Sequence, residues 1–235
     1  MKLLLVGSLA FAISLPATPG LPAAPVLPAQ GKAKPQLFEP LDLGLLEAPD
    51  RDQWQKPDQI MDALAIADGS LVADLGAGSG WFTIRLARRV GPLGRVYAED
   101  IQQQMIDVIK SRVQRENLSN VVAVLGTAED PRLPGGLDAV LIVDTFHEMQ
   151  FDAKGVRRDP VELLSIVARS LKPQGRLGVV DFMPGGGGPG PAPDQRAKAE
   201  DVIRTATAAG LRVVRQEDFP PFVYLLVLAR AEAAR

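Results

Sequence analysis

Short apolar runs alternate with amphipathic stretches along most of this chain. The runs are nearly continuous, as expected of strands that are buried on both faces. They predict strands at 71–75, 96–98, 121–125, 137–143 and 176–182. Apolar residues at helical spacing predict helices at 57–64, 81–90, 103–116, 160–171 and 195–209. This alternation, with short connections, predicts a parallel sheet covered by helices on both faces.

The end of the chain departs from that alternation. Two further strands are predicted at 211–216 and 223–228, and only a few residues, including Pro220 and Pro221, separate them. A parallel crossover needs a dozen residues or more, so these two strands must be antiparallel. The predicted fold is therefore α/β: a doubly wound, mostly parallel seven-stranded sheet with an antiparallel C-terminal strand.

Composition narrows the function classes. The chain has 235 residues, of which 46% are hydrophobic, enough for one α/β domain with a full core. Lys and Arg total 26 against 28 Asp and Glu, so the net charge of −2 gives no strong footprint for nucleic acid. There is no cysteine, which excludes disulfides, thiolate zinc sites and cysteine nucleophiles.

The first residues have the order of a secretory signal peptide. Lys2 precedes an apolar stretch at 3–15, and small residues and prolines follow. The stretch is too short for a comfortable membrane span. We expect a signal peptide at 1–24, a Pro/Ala-rich linker at 25–37 and the functional domain at 38–235. The expected location is exported or periplasmic. The alternative is a cytoplasmic protein with an N-terminal extension.

A glycine-rich turn is the most informative segment. It follows a predicted strand and opens a predicted helix, and its sequence is Asp74-Leu75-Gly76-Ala77-Gly78-Ser79-Gly80. Glycine is needed where backbone adopts positive φ or lies against a ligand. The helix N-terminus beyond it offers free N–H groups. The G-x-G-x-G spacing lacks the extra residue of the dinucleotide pattern, and the turn lacks the lysine of a P-loop.

An acidic strand end fits this turn. Glu99 and Asp100 close the next predicted strand. A carboxylate at that place can accept hydrogen bonds from both hydroxyls of a ribose held above the sheet. The two features together predict an adenosine-type ligand.

The segment from Val72 to Gly80 resembles motif I of class I S-adenosylmethionine-dependent methyltransferases. The resemblance runs from about residue 54 to 229 and extends to 97–101, 126–130, 143–147 and 171–177, and to the reversed final strand. It implies the Rossmann-like methyltransferase fold, S-adenosyl-L-methionine as cofactor, and methyl transfer as activity. It does not identify the methyl acceptor.

The resemblance also implies roles for individual residues. The residues expected to bind the cofactor are Asp74, Gly76, Ala77, Gly78, Gly80, Asp100, Ile101, Thr127, Ala128, Glu129 and Asp144. Asp74 and the glycine turn would hold the methionine end, Asp100 the ribose, and 127–129 the adenine. Asp144 would lie beside the transferred methyl group. The family often has Asp where this chain has Thr127, so the adenine contact could fall to Glu129 or Asp130.

His147 is the one histidine of the chain, and Glu148 follows it. An imidazole of near-neutral pKa can remove a proton from a nucleophile, and a carboxylate can orient it. We therefore name His147 and Glu148 as candidate catalytic residues. The alternative is a histidine that only stabilises its loop. No metal site is expected, because adjacent side chains on a strand end diverge and no further ligand is evident.

Several features around the entrance permit two interpretations each. Trp54 is either part of a lid or a packing residue, and the Gly/Pro-rich segment 184–193 is either a lid or a passive insertion. Phe219, Phe222 and Tyr224 line an acceptor pocket or belong to the core.

The predicted function is methyl transfer from S-adenosylmethionine to a small-molecule acceptor. One rival is an exported protein that binds the cofactor without catalysis, since cofactor motifs report binding rather than turnover. The other is a nicotinamide-dependent oxidoreductase, against which the glycine spacing and the reversed terminal strand argue. The oligomeric state cannot be predicted.

Overall fold

The structure is a computed structural model that describes residues 47–151, 156–185, 187–219 and 221–231. The expected signal peptide, the expected linker and the first residues of the expected functional domain lie outside these ranges. Among the described residues, no helix has the length and apolar character needed to cross a membrane.

Seven helices and seven strands make up the described part of the chain. The helices are α1 (Arg51–Gln55), α2 (Pro57–Ala63), α3 (Trp81–Val90), α4 (Gln103–Arg115), α5 (Phe146–Met149), α6 (Val161–Ser170) and α7 (Ala199–Ala208). The strands are β1 (Leu71–Leu75), β2 (Arg95–Asp100), β3 (Val121–Leu125), β4 (Leu137–Val143), β5 (Leu171–Phe182), β6 (Leu211–Phe219) and β7 (Val223–Arg230).

The strands form one sheet in the order β3-β2-β1-β4-β5-β7-β6. β1 pairs in parallel with β2 and β4, whereas β7 is antiparallel to both β5 and β6. This arrangement confirms the predicted doubly wound sheet. The strand order reverses between β1 and β4, and in such sheets the carboxyl ends of the strands open a crevice at the reversal.

Alternating side chains of the strands pack into hydrophobic cores on opposite faces of the sheet. Val72 packs on one face with α2 and α3, while the next residue, Ala73, packs on the other face with α6 and α7. Phe219 and Tyr224 are 5% and 1% exposed and belong to these cores, and the Tyr224 hydroxyl donates to the Ala197 carbonyl at 3.0 Å. These two aromatic residues therefore stabilise the fold rather than line a pocket.

Most predicted boundaries lie within three residues of the observed ones, and two element starts differ by more. β5 begins at Leu171 instead of residue 176, because Leu171 already pairs with Leu137 of β4. The next pair is Ala139 with Arg176, so the register shifts and the predicted turn at 172–175 lies within the strand. α7 begins at Ala199 instead of residue 195. Before the helix, the Arg196 side chain turns to the Gly/Pro-rich segment. Its guanidinium donates hydrogen bonds to the carbonyls of Gly187 at 3.1 Å, Pro189 at 3.2 Å and Pro191 at 3.0 Å.

Candidate active site

The glycine turn lies at the carboxyl end of β1 and is held there by Asp100. Gly76, Gly78 and Gly80 all have positive φ. Gly78 N donates to Asp100 Oδ2 at 3.0 Å, and Gln102 N donates to the other carboxylate oxygen at 2.9 Å. Burial raises the pKa of Asp100, against the effect of these backbone donors. The predicted ribose-binding carboxylate therefore sits directly on the turn.

Gly76 also joins the ends of β1 and β4. The Thr145 hydroxyl, just after β4, donates to the Gly76 carbonyl at 3.2 Å. A Cβ on Gly76 would lie only 2.4 Å from Thr145 Cγ2, so this contact requires glycine as much as the φ of 73° does. The two strand ends that flank the crevice are thus in direct contact.

Asp74 is placed beneath the turn. It is 2% exposed, and the Thr83 hydroxyl of α3 donates to its Oδ2 at 2.6 Å. Burial raises the pKa of Asp74 to about 6. In this arrangement its carboxylate ties β1 to α3 and so supports the backbone that the resemblance assigns to the cofactor.

The residues expected along the adenine follow β3. The Thr127 hydroxyl accepts from Asp130 N at 3.0 Å and so closes its own turn. Arg158 donates to the Ala128 carbonyl at 2.9 Å and to Glu129 Oε1 at 3.3 Å. Gly126 N bonds the Asp100 carbonyl at 3.1 Å, which brings this turn to the same edge as Asp100. Ile101, next to Asp100, is 38% exposed and offers an apolar surface there.

Asp144 directly follows β4 and has left-handed backbone, with φ of 55°. Arg51 Nη2 contacts its carboxylate at 2.7 Å and Gln55 Nε2 contacts it at 3.3 Å, so α1 covers this side of the crevice. Burial raises the pKa of Asp144 to about 6, although Arg51 opposes the shift. The Arg51 guanidinium also lies 4.2 Å from the centre of the Trp81 ring.

Trp54 anchors α1 through aromatic packing. Its ring centroid is 6.2 Å from that of Phe182 and 6.0 Å from that of Phe222. Both distances are typical of aromatic pairs in protein cores. These contacts agree with the packing interpretation of Trp54.

His147 is paired with a carboxylate that the sequence analysis did not single out, Asp181 of β5. His147 Nδ1 lies 3.0 Å from Asp181 Oδ1, and His147 N donates to Asp181 Oδ2 at 3.0 Å. Asp181 is fully buried and also accepts from Phe182 N at 2.7 Å. The one sequence signal was an acidic residue near the end of an otherwise apolar strand, but only the folded sheet places it beside His147.

Charge around His147 favours its protonated form. Burial disfavours the imidazolium, but the Asp181 carboxylate outweighs burial and raises the pKa of His147 to about 9. Glu148 is half-buried, and burial raises its pKa to about 7 while His147 opposes the shift. Within the described ranges, no group of three or more acidic, histidine or cysteine side chains is arranged to hold a metal ion.

Comparison with known proteins agrees with this geometry. A family model described as a methyltransferase domain matches residues 72–175. A crystal structure of an S-adenosylmethionine-dependent methyltransferase from Aquifex aeolicus superposes with a TM-score of 0.74 at 25% identity, over 82% of this chain and 98% of that one. Residues 72–175 thus match a methyltransferase domain, and the described part of the chain has the fold of an S-adenosylmethionine-dependent methyltransferase.

Curated relatives match this chain over part of their length. An uncharacterized methyltransferase of Mycobacterium bovis is 37% identical over 132 residues, which is 56% of this chain and 47% of that protein. A demethylmenaquinone methyltransferase of Lactobacillus johnsonii is 28% identical over 130 residues, or 54% of this chain and 49% of that protein. The chain thus spans about half the length of the curated relatives it matches.

The residues present fit S-adenosylmethionine, the cofactor of this family. A glycine turn at the strand-order reversal leaves room for a ligand against the backbone. Asp100 is the carboxylate expected to bind the ribose, and Ile101 offers an apolar surface next to it. One buried oxygen at this edge, Glu99 Oε1, has no hydrogen-bond partner among the described residues.

Proposed function

We propose that this methyltransferase transfers the methyl group of S-adenosylmethionine to a small-molecule acceptor. The observation that carries the proposal is the Asp100 carboxylate bound to Gly78 N at 3.0 Å, at the strand-order reversal. In this proposal the Asp100 carboxylate would bind the ribose, and the backbone of the glycine turn would hold the rest of the cofactor. Asp144, His147 and Asp181 follow on adjacent strand ends, where the acceptor would approach.

Positioning supplies most of the catalysis expected from this site. When bound, the cofactor supplies an electrophilic methyl group on a positively charged sulfur. The chain has to hold the acceptor in line with that group and exclude water, which by itself accelerates such reactions greatly. Arg51, Gln55 and Trp54 on α1 cover the crevice beside Asp144 and are suited to that exclusion.

His147 is suited to remove a proton from the acceptor. Its Nδ1 is occupied by Asp181, so Nε2 is the nitrogen available to the acceptor. Because His147 with a pKa of about 9 is largely protonated at neutral pH, transfer that uses it as a base should accelerate as the pH rises toward 9. His147→Ala should slow transfer without weakening cofactor binding.

Calorimetric titration of the purified protein with S-adenosylmethionine, and separately with NAD, tests the proposal. We expect saturable binding of S-adenosylmethionine alone and a loss of about tenfold or more in affinity in Asp100→Ala. Asp107→Ala is the matched control, since Asp107 is an exposed acid on α4. Binding of NAD alone would support the oxidoreductase. Binding of S-adenosylmethionine without turnover on any acceptor would support the non-catalytic alternative.

The acceptor class is the next quantity to measure. One relative's name assigns it demethylmenaquinone as substrate. Small hydroxylated aromatic compounds are therefore sensible first acceptors, assayed by mass-spectrometric detection of the methylated product. The net charge of −2 favours such a molecule over nucleic acid.

We also propose that the protein is exported, on the evidence of the N-terminal sequence alone. The proposal carries a biochemical demand, because S-adenosylmethionine is made in the cytoplasm and would have to reach the exported enzyme. Mass spectrometry of the protein from separated cell fractions tests it. A mature chain shortened within the first 37 residues supports export, and an intact chain in the cytoplasmic fraction refutes it.

A further inference from the structure

Glu99, the penultimate residue of β2, is a buried acid to which the proposed mechanism assigns no role. The residue is 2% exposed. Its Oε2 accepts a long hydrogen bond of 3.4 Å from Gly76 N. Its Oε1 is buried and has no hydrogen-bond partner among the described residues. Buried polar atoms without a partner are uncommon in native proteins and call for an explanation, such as an absent ligand.

The unpartnered oxygen lies between the turns that follow β1 and β3. A Cβ built on Gly126 would be 1.9 Å from Glu99 Oε1, so the absence of a side chain at Gly126 makes room for the carboxyl group. Gly76, on the other side, belongs to the glycine turn. Oε1 therefore lies beside the turn after β3, to which the resemblance assigns the adenine, on a residue next to Asp100.

The charges with the largest effect on Glu99 are negative. They come from Asp100 on the same strand, Asp74 on β1 and Asp130 after β3. Burial, and then these carboxylates, raise the pKa of Glu99 to about 8, although the Gly76 N–H opposes the shift. At neutral pH the Glu99 carboxyl group is therefore protonated in most molecules, and a protonated carboxyl group has an O–H to donate.

We propose that Glu99 binds the cofactor as a neutral carboxylic acid and donates a hydrogen bond to an acceptor atom of its adenosine portion. The inference rests on the proposed function, because it needs the cofactor in this crevice. Asp100 and Glu99 then act as complementary groups: the first accepts hydrogen bonds from the ribose hydroxyls and the second donates one. Such a donor favours a nucleoside that presents an acceptor atom at this point.

Calorimetry with S-adenosylhomocysteine at several pH values tests the proposal. Wild-type affinity should fall by about tenfold between about pH 7 and about pH 9.5, since a group of pKa near 8 loses its proton over that range. Glu99→Gln keeps a donor and cannot ionise. It should bind within about threefold of wild type near pH 7 and change little with pH. Glu99→Leu, of similar size but without a donor, should lose about tenfold near pH 7.

Controls separate this inference from the proposed function. Glu162→Gln, an exposed acid on α6, should follow the wild-type pH dependence. Thermal unfolding of each variant checks folding at each pH, and the Gln variant decides the matter if the Leu variant does not fold. Other groups titrate over the same range, so the deciding quantity is the difference between wild type and Glu99→Gln.

Two results would overturn the inference alone: equal pH dependence in wild type and Glu99→Gln, or full affinity in a folded Glu99→Leu. If wild type binds no S-adenosylmethionine, the proposed function fails and the inference fails with it. Methylthioadenosine, which lacks the amino-acid portion, locates the bond. A pH effect with S-adenosylhomocysteine that is absent with methylthioadenosine would show that the donor does not contact the nucleoside.

Discussion

The carboxylate of Asp181 holds His147 at two points, its backbone N–H and its ring Nδ1, at 3.0 Å each. A third bond, from Phe182 N at 2.7 Å, fixes the carboxylate itself. An imidazole held this way has one orientation and one tautomer, with the proton on Nδ1 whenever the ring is neutral. The role of His147 therefore depends on a residue on a different strand.

Nuclear magnetic resonance of ¹³C,¹⁵N-histidine measures this dependence without an acceptor, because the chain has a single histidine. In wild type, His147 should titrate with a pKa near 9, and the neutral ring should carry its proton on Nδ1. In Asp181→Asn, the negative charge is lost while the side chain keeps an oxygen that can accept the backbone bonds. The His147 pKa should then fall by more than about one unit.

Glu148→Gln is the matched control, since it removes a nearby charge and leaves the Asp181 bonds in place. Its effect on the pKa of His147 should be smaller than that of Asp181→Asn. A wild-type pKa near the ordinary value of about 6.5 would contradict the pairing that we infer from the distances.

α1 has only five residues, too few for a stable helix in isolation, so its position depends on the contacts that it makes. The Arg51–Asp144 ion pair is almost buried, with side chains 8% and 9% exposed. The Asp52–Arg85 pair, which joins the same helix to α3, is much more open, with side chains 60% and 24% exposed. A buried pair is costly to break from one side, whereas an exposed pair contributes little.

Arg51→Met should loosen α1 strongly, because it leaves the Asp144 carboxylate buried without its partner. We expect the opening free energy of this segment to fall by about 3–5 kcal/mol, limited by its stability in the wild type. Asp52→Asn should change it by only about 0.2–1 kcal/mol. Hydrogen-exchange mass spectrometry of the α1 amides measures both.

The double variant Arg51→Met/Asp144→Asn provides the control for charge. Asparagine is neutral and tolerates the left-handed backbone at this position, so the double variant should be more protected than Arg51→Met alone. Equal exchange in Arg51→Met and Asp52→Asn would show that the buried pair does not hold α1.

At the scale of the whole molecule, five titratable groups at the carboxyl edge of the sheet have pKa values that are raised well above their ordinary values. The pKa values are about 6 for Asp74 and Asp144, about 7 for Glu148, about 8 for Glu99 and about 9 for His147. Each exceeds its ordinary value, so the folded protein binds protons more tightly than the unfolded chain. A crevice built from acids under partial cover has this property because burial disfavours their charged forms.

Stability should therefore fall as the pH rises from about 6 to about 9. For His147, the stabilising contribution is complete below about 6.5, the unfolded pKa, and is lost as the pH passes through about 9. Glu99 also contributes stability that is lost as the pH rises from its ordinary pKa to about 8, its pKa in the folded protein. Urea unfolding at a series of pH values measures the free energy of unfolding, and Glu99→Gln should flatten the curve. A free energy that rises over this range would contradict the prediction.

The sequence by itself determined the sheet and predicted where the cofactor would bind. Continuous apolar runs such as Leu137–Val143 predict buried strands because a strand covered on both faces has no polar side. The glycine turn and Asp100 were found because their chemistry is local: a backbone conformation, a helix start and a strand end.

Only the tertiary structure decided which groups surround that place. The residues of the Arg51–Asp144 pair are 93 apart in sequence, and those of the His147–Asp181 pair are 34 apart. Neither spacing follows a helical or strand period. α1 and α5 are also too short to show a recognisable helical pattern in the sequence. The shifted pKa values have the same origin, because burial and neighbouring charge exist only after the strands have been brought together.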